Sequence, residues 1–176
     1  MARRLPFGVV PDQPAPGQES VWDYPRPPLL ERRDAEIVVV FGGVEVCRAD
    51  HALLIKETSH PPTYYLPAAA WAPGALHPGK GGSICEWKGA AQYFDVVARS
   101  ADGVELAVAP AAAWGYARPL PPYEALVNHV SVYPGRMDRV TVAGEPVRAQ
   151  AGGFYGGWIT SDVVGPFKGE PGSRFW

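Results

Sequence analysis

Ile37-Val38-Val39-Val40-Phe41-Gly42-Gly43-Val44-Glu45-Val46-Cys47 is the stretch that decides the fold. Its first half is a β-branched run ending in Phe41, which suits a pleated surface. Gly42-Gly43 supplies two adjacent residues free to take positive φ, as a tight primed turn requires. Apolar and polar positions then alternate through Val44-Glu45-Val46. Together these features predict an antiparallel hairpin.

Working outward, Leu53 to Glu57 reads as a third strand, broken by Thr58-Ser59-His60-Pro61-Pro62. Thr63 to Pro67 reads as a short fourth strand. Residues 68–82 contain Pro73, Gly74, Pro78, Gly79, Gly81 and Gly82 and predict a loop. Ala91 to Val97 and Val104 to Val108 pair as a second hairpin across Asp102-Gly103. Pro121-Pro122 are suited to the first turn of a short helix over residues 123–128. Val130 to Tyr133 is a strand stopped by Pro134-Gly135, and Arg139 to Val142 runs into a final turn at Ala143-Gly144. The expected fold is all-β and mainly antiparallel, with one short helix.

The ends differ from this body. Residues 1–20, with Pro6, Pro11, Pro14 and Pro16, predict an extended N-terminal arm. Trp22-Asp23-Tyr24-Pro25-Arg26-Pro27-Pro28 couples large rings to fixed φ angles and predicts a clasp laid across the domain. The domain itself spans residues 21–151. Residues 152–176 form an aromatic, glycine-rich extension with Phe154, Tyr155, Trp158, Phe167, Phe175 and Trp176. Leaving such rings in water costs about 1.5–3 kcal/mol each, so the extension is expected to pack on the domain or on a second subunit.

Composition narrows the function. Apolar residues make up 47% of 176, enough for a core, and the net charge is −2. With pI near 6.1 there is no basic footprint for nucleic acid. No run approaches the roughly 18 apolar residues of a membrane span, and Arg3-Arg4 lead into Leu5-Pro6-Phe7-Gly8 rather than a signal-peptide core. Two cysteines, Cys47 and Cys85, do not complete a four-ligand zinc site. His51, His77 and His129 lack metal-recruiting spacing. No metal or cofactor is expected, and a soluble cytoplasmic protein with reduced thiols is the default.

The chemistry gathers around Cys85-Glu86-Trp87-Lys88-Gly89-Ala90-Ala91-Gln92-Tyr93-Phe94. Glu57, His60 and Lys88 are candidate polar ligand-binding groups. Tyr64, Tyr65, Trp87, Trp114, Tyr116 and Tyr133, with Tyr93 beside them, are candidate aromatic walls. Rings with a few convergent polar groups are what a small-molecule pocket needs. Lys88 suits a carboxylate or phosphate as a point charge, Glu57 accepts from hydroxyls, and His60 donates or accepts near neutral pH. The first reading is therefore a small-molecule-binding domain for a polar or anionic ligand. A structural reading stands beside it, in which the rings and Cys85 are core residues. A second functional reading is an enzyme, hydrolase or transferase, with Cys85 as nucleophile, His60 as base and Glu57 as orienting acid; Lys88 would lower the thiol pKa. A third is an interaction module that forms a homodimer through residues 152–176.

The chain resembles the DUF427 family of small bacterial and fungal domains of uncharacterised function. The resemblance rests on the Trp22 to Pro28 lead-in, Phe41-Gly42-Gly43, Glu57 to Pro67, Cys85 to Tyr93, Trp114-Gly115-Tyr116 and Val130 to Tyr133. It covers roughly residues 20–142, and residues 143–176 lie beyond it. It implies a β-tent-like fold, two antiparallel sheets splayed apart around a cleft. Relatives of that architecture often hold zinc with four cysteines, which this chain does not have. A nucleotidyltransferase-like label also attaches to the family, but the chain has no Gly-Ser and paired-aspartate pattern for that chemistry.

Overall fold

The computed structural model describes residues 5–176; the first four residues of the expected arm lie outside the described part. Thirteen strands follow in order: β1 Glu19–Ser20, β2 Leu29–Phe41, β3 Val44–Lys56, β4 Thr63–Pro67, β5 Leu76–Cys85, β6 Gly89–Arg99 and β7 Glu105–Gly115, then β8 His129–Val132, β9 Arg139–Val142, β10 Glu145–Pro146, β11 Arg148–Ala149, β12 Trp158–Ile159 and β13 Val163–Val164. Nine of them make one antiparallel sheet in the order β10-β9-β2-β3-β4-β8-β7-β6-β5. Two small pairs complete the chain, β11 with β12 antiparallel and β1 with β13 parallel. The all-β, mainly antiparallel class is as the sequence predicts.

The hairpin at the centre of the reading is β2–β3, and Gly42 and Gly43 both take positive φ, 58° and 76°. Gly42 is also needed for space. A Cβ there would lie 2.6 Å from Ala98 Cβ and 3.0 Å from Ala107 Cβ. The hairpin tip therefore rests directly on β6 and β7, and the two ends of the sheet fold toward each other about β4. Ile37, Val39, Val46 and Leu54 from one half meet Val96, Ala98, Ala109, Val130 and Val132 from the other in one apolar core.

Five predicted elements change. The first strand begins at Leu29 rather than Ile37. The third strand is the continuation of β3, which runs unbroken from Val44 to Lys56. The predicted loop over 68–82 contains the start of β5, an edge strand, where proline is tolerated. The return strand of the second hairpin extends through Ala111 to Gly115. The short helix shrinks to a single 3₁₀ turn, Glu124–Leu126. Among the described residues no helix is long and apolar enough to cross a membrane.

Both ends lie against the body. Asp12 N–H donates to Gly165 O (2.8 Å), and Trp22 Nε1–H donates to Pro166 O (2.9 Å). Trp22 meets Trp176 edge-on at 5.4 Å. Trp158 enters the main core fully buried, stacks on Tyr64 at 4.7 Å and donates from Nε1 to Val132 O (3.1 Å).

Candidate functional site

Strand alternation separates two faces of the sheet. On β4, Tyr64 and Leu66 turn into the main core, while Thr63 and Tyr65 turn to the opposite face. The same parity places Ile55 of β3, Tyr93 of β6 and Trp114 of β7 on that second face. There they line a cleft of about 460 Å³. The end of β5 and the turn into β6, from Ser83 to Lys88, also line it, as does the C-terminal strap with Gln150, Phe154, Tyr155 and Gly156.

Most of the sequence-predicted residues meet here. Glu57, His60, Tyr65, Cys85, Trp87, Lys88, Trp114, Tyr116 and Tyr133 all line the one cleft. Tyr64 does not. Its ring lies on the core side against Trp158, and its hydroxyl accepts from Arg33 Nη1 (2.8 Å). It follows Thr63 by one residue on a strand, so it faces away from the cleft. Sequence reading missed Gln150, Phe154, Tyr155 and Gly156. The glycine- and ring-rich composition of 152–159 flagged the strap, but nothing in the sequence tied it to His60.

The aromatic part is tightly built. Trp114 Nε1–H donates to the Tyr65 hydroxyl (3.2 Å), and Tyr133 lies 4.5 Å from the Trp114 ring. Tyr93 donates to Ser83 Oγ (3.1 Å) and Tyr133 to Phe154 O (3.3 Å). Burial pushes the Tyr65 and Tyr116 phenols far above their ordinary value and Tyr133 up to about 12. All three are neutral hydroxyls at physiological pH. Trp114 and Tyr65 are thus both core residues and cleft walls.

The polar groups differ in their freedom. Glu57 is tied to Arg26, whose Nε lies 2.9 Å from Glu57 Oε1. Lys88 is buried, with 8% exposure. Its ammonium lies 5.8 Å from the centroid of the Tyr116 ring, near the outer reach of a cation–π contact. It has no hydrogen bond or carboxylate partner among the described residues. Gly89 follows with φ of 92° and lets the turn close beneath Leu120.

His60 is held by the strap. Gln150 accepts from Gly157 N–H at Oε1 (3.0 Å) and donates from Nε2 to Lys168 O (2.7 Å). Those two contacts fix which end of the amide is which. The same Nε2 lies 3.0 Å from His60 Nδ1, so Nδ1 accepts and the ring proton sits on Nε2. Burial holds the imidazole down to about 4, against the opposing pull of Glu57. The ring packs edge-on to Tyr155 at 4.9 Å.

A stability effect follows. With a folded pKa near 4 against 6.5 when unfolded, folded His60 binds fewer protons than unfolded His60 between those values. Its contribution is present above the window and lost as pH falls through it. Urea unfolding across the window should show a steeper acid loss for the wild type than for His60→Gln. Identical slopes would mean that His60 titrates as a solvated imidazole.

The linear arrangement of a Glu57–His60–Cys85 triad is not made. Glu57 bonds Arg26 and His60 Nδ1 bonds Gln150. An imidazole held near 4 is also far from the neutral range that suits a general base. Among the described residues no group of three or more His, Cys, Asp or Glu side chains is placed to hold a metal ion.

A family profile described as a domain of unknown function (DUF427) matches residues 29–143. The chain belongs to that family. No curated protein matches it. Gln150 and the strap lie outside the matched residues.

Proposed function

We propose that this DUF427 chain is a small-molecule-binding β domain whose cleft takes an anionic ligand at Lys88. The observation that carries this reading is the ammonium itself. The Lys88 stem is buried while its ammonium faces the cleft with no carboxylate or hydrogen-bond partner among the described residues, and a cation left unpaired beside a partly desolvated cavity favours an anionic guest. The cleft volume, about 460 Å³, lies in the range of small-molecule sites. Aromatic rings line it, and the carboxylate of Glu57, just past the end of β3, is already occupied by Arg26.

The test is a stability comparison in two conditions. Without ligand, Lys88→Met should unfold later than the wild type, by about 1 kcal/mol, because an uncompensated charge has been replaced by a matching apolar chain. With benzoate added, the wild type should gain stability as ligand occupies the folded state, and Lys88→Met should gain none. A Lys88→Met protein that is destabilised without ligand and still responds to benzoate would contradict the reading.

A further inference from the structure

We infer that the ligand is a planar aromatic monocarboxylate that carries a second, neutral hydrogen-bond acceptor. This rests on the anion-cleft reading above and narrows it to a chemical class. The first argument is charge. Lys88 is the one lysine or arginine among the described residues lining the cleft, while Glu57 and Glu86 line it as well. Arg26 is committed to Glu57, and Lys168 donates to three carbonyls, of Ser173, Arg174 and Trp176. One free cation among acidic neighbours suits a single negative charge. A phosphate dianion is best matched by a second cation or an arginine fork, and the described lining residues include one lysine and no arginine.

The second argument is the polarity of His60. Gln150 fixes the proton on Nε2, and no described residue accepts from that atom. The imidazole stays neutral, so it adds a donor and no second charge. A ligand that meets it presents an acceptor such as a carbonyl. The third argument is shape. Trp87, Tyr93 and Tyr133 line the cavity, and the backbone at Gly156 lies so close to Trp114 that a Cβ there would sit 2.0 Å from Cη2. Rings on several sides favour a flat, conjugated guest, which gains area without losing internal freedom.

Isothermal titration of the full chain with four probes tests the class. Coumarin-3-carboxylate carries all the features, coumarin-3-carboxamide lacks the charge, 2-naphthoate lacks the acceptor, and 4-methylumbelliferyl phosphate is a dianion. The carboxylate should bind about tenfold or more tighter than its amide, equivalent to about 1.4 kcal/mol, and severalfold tighter than 2-naphthoate. Lys88→Met should bind carboxylate and amide alike, with Lys88→Gln as a second variant should the first fail to fold. If the phosphate ester binds tightest, the monocarboxylate class is overturned while the anion cleft stands. Equal affinity for 2-naphthoate overturns the acceptor at His60. If none of the four binds the wild type, the anion cleft itself is overturned.

Discussion

Trp158→Ala should cost about 3–5 kcal/mol of unfolding free energy, the range for removing a large buried ring. The indole is fully buried and stacks on Tyr64 with an interplanar angle of 8°. It also donates to Val132 O, so its loss strands a buried carbonyl as well as opening a cavity. Its own backbone N–H donates to Pro62 O (2.8 Å), next to the start of β4. Domains of this size are stable by about 5–15 kcal/mol, so the variant loses a large share of the total. Chemical denaturation followed by circular dichroism gives the value. A loss below about 1 kcal/mol, the size of a surface substitution, would mean that residue 158 is not part of the core.

Gly156→Val should be the second large effect, and it should strike stability and binding together. A Cβ at this position would lie 2.0 Å from Trp114 Cη2 and 2.8 Å from Cζ2. Trp114 has little room to yield, since its indole nitrogen is bonded to Tyr65 and its face is against Tyr133. The strap must lift instead. That separates Tyr155 from His60 and weakens the Tyr133 contact to Phe154 O. The expected cost is about 1–3 kcal/mol, with faster amide exchange at Gly157, whose N–H is held by Gln150. Ligand affinity should fall by about tenfold or more as one wall of the cleft opens. Unchanged exchange and unchanged affinity would show that the strap takes no part in the site.

How much of this was legible in the sequence depends on whether the signal was local. The Gly42-Gly43 turn and the short strand that starts after Pro61-Pro62 at Thr63 are local signals, and both match the observed structure. The long strand β3 does not read as one piece because its middle, Arg48 to His51, is largely polar. There the strand alternates between a buried Ala49 and exposed Arg48 and Asp50. The first part of β2 was hidden in the same way by Glu31, Arg32, Arg33 and Asp34, and by a register shift between Asp34 and Ile37. In β5, Gly79 and Gly82 read as loop residues but serve close packing. A Cβ at Gly79 would lie 2.9 Å from Asp95 Oδ1, and one at Gly82 would lie 2.9 Å from Ala91 O.

The site divides along the same line. Lys88, Cys85 and Trp87 sit in one turn, and their common location was readable from a single decapeptide. Adjacency in sequence groups Tyr64 with the cleft walls, but the pleat sends it to the core. Gln150 gives no sequence signal at all. It matters only because the chain returns after 90 residues of separation to place its amide on His60. Arg26, which takes Glu57 out of play, likewise comes from a proline-rich segment that reads as structural.

The most direct test is crystallographic. Crystals of the full chain soaked in benzoate should show a carboxylate at about 2.8 Å from Lys88 Nζ, the distance of a charge-assisted hydrogen bond, with its ring between the aromatic walls. Benzoate bound elsewhere, or a Lys88 ammonium turned out of the cavity and paired with Glu86, would contradict the account.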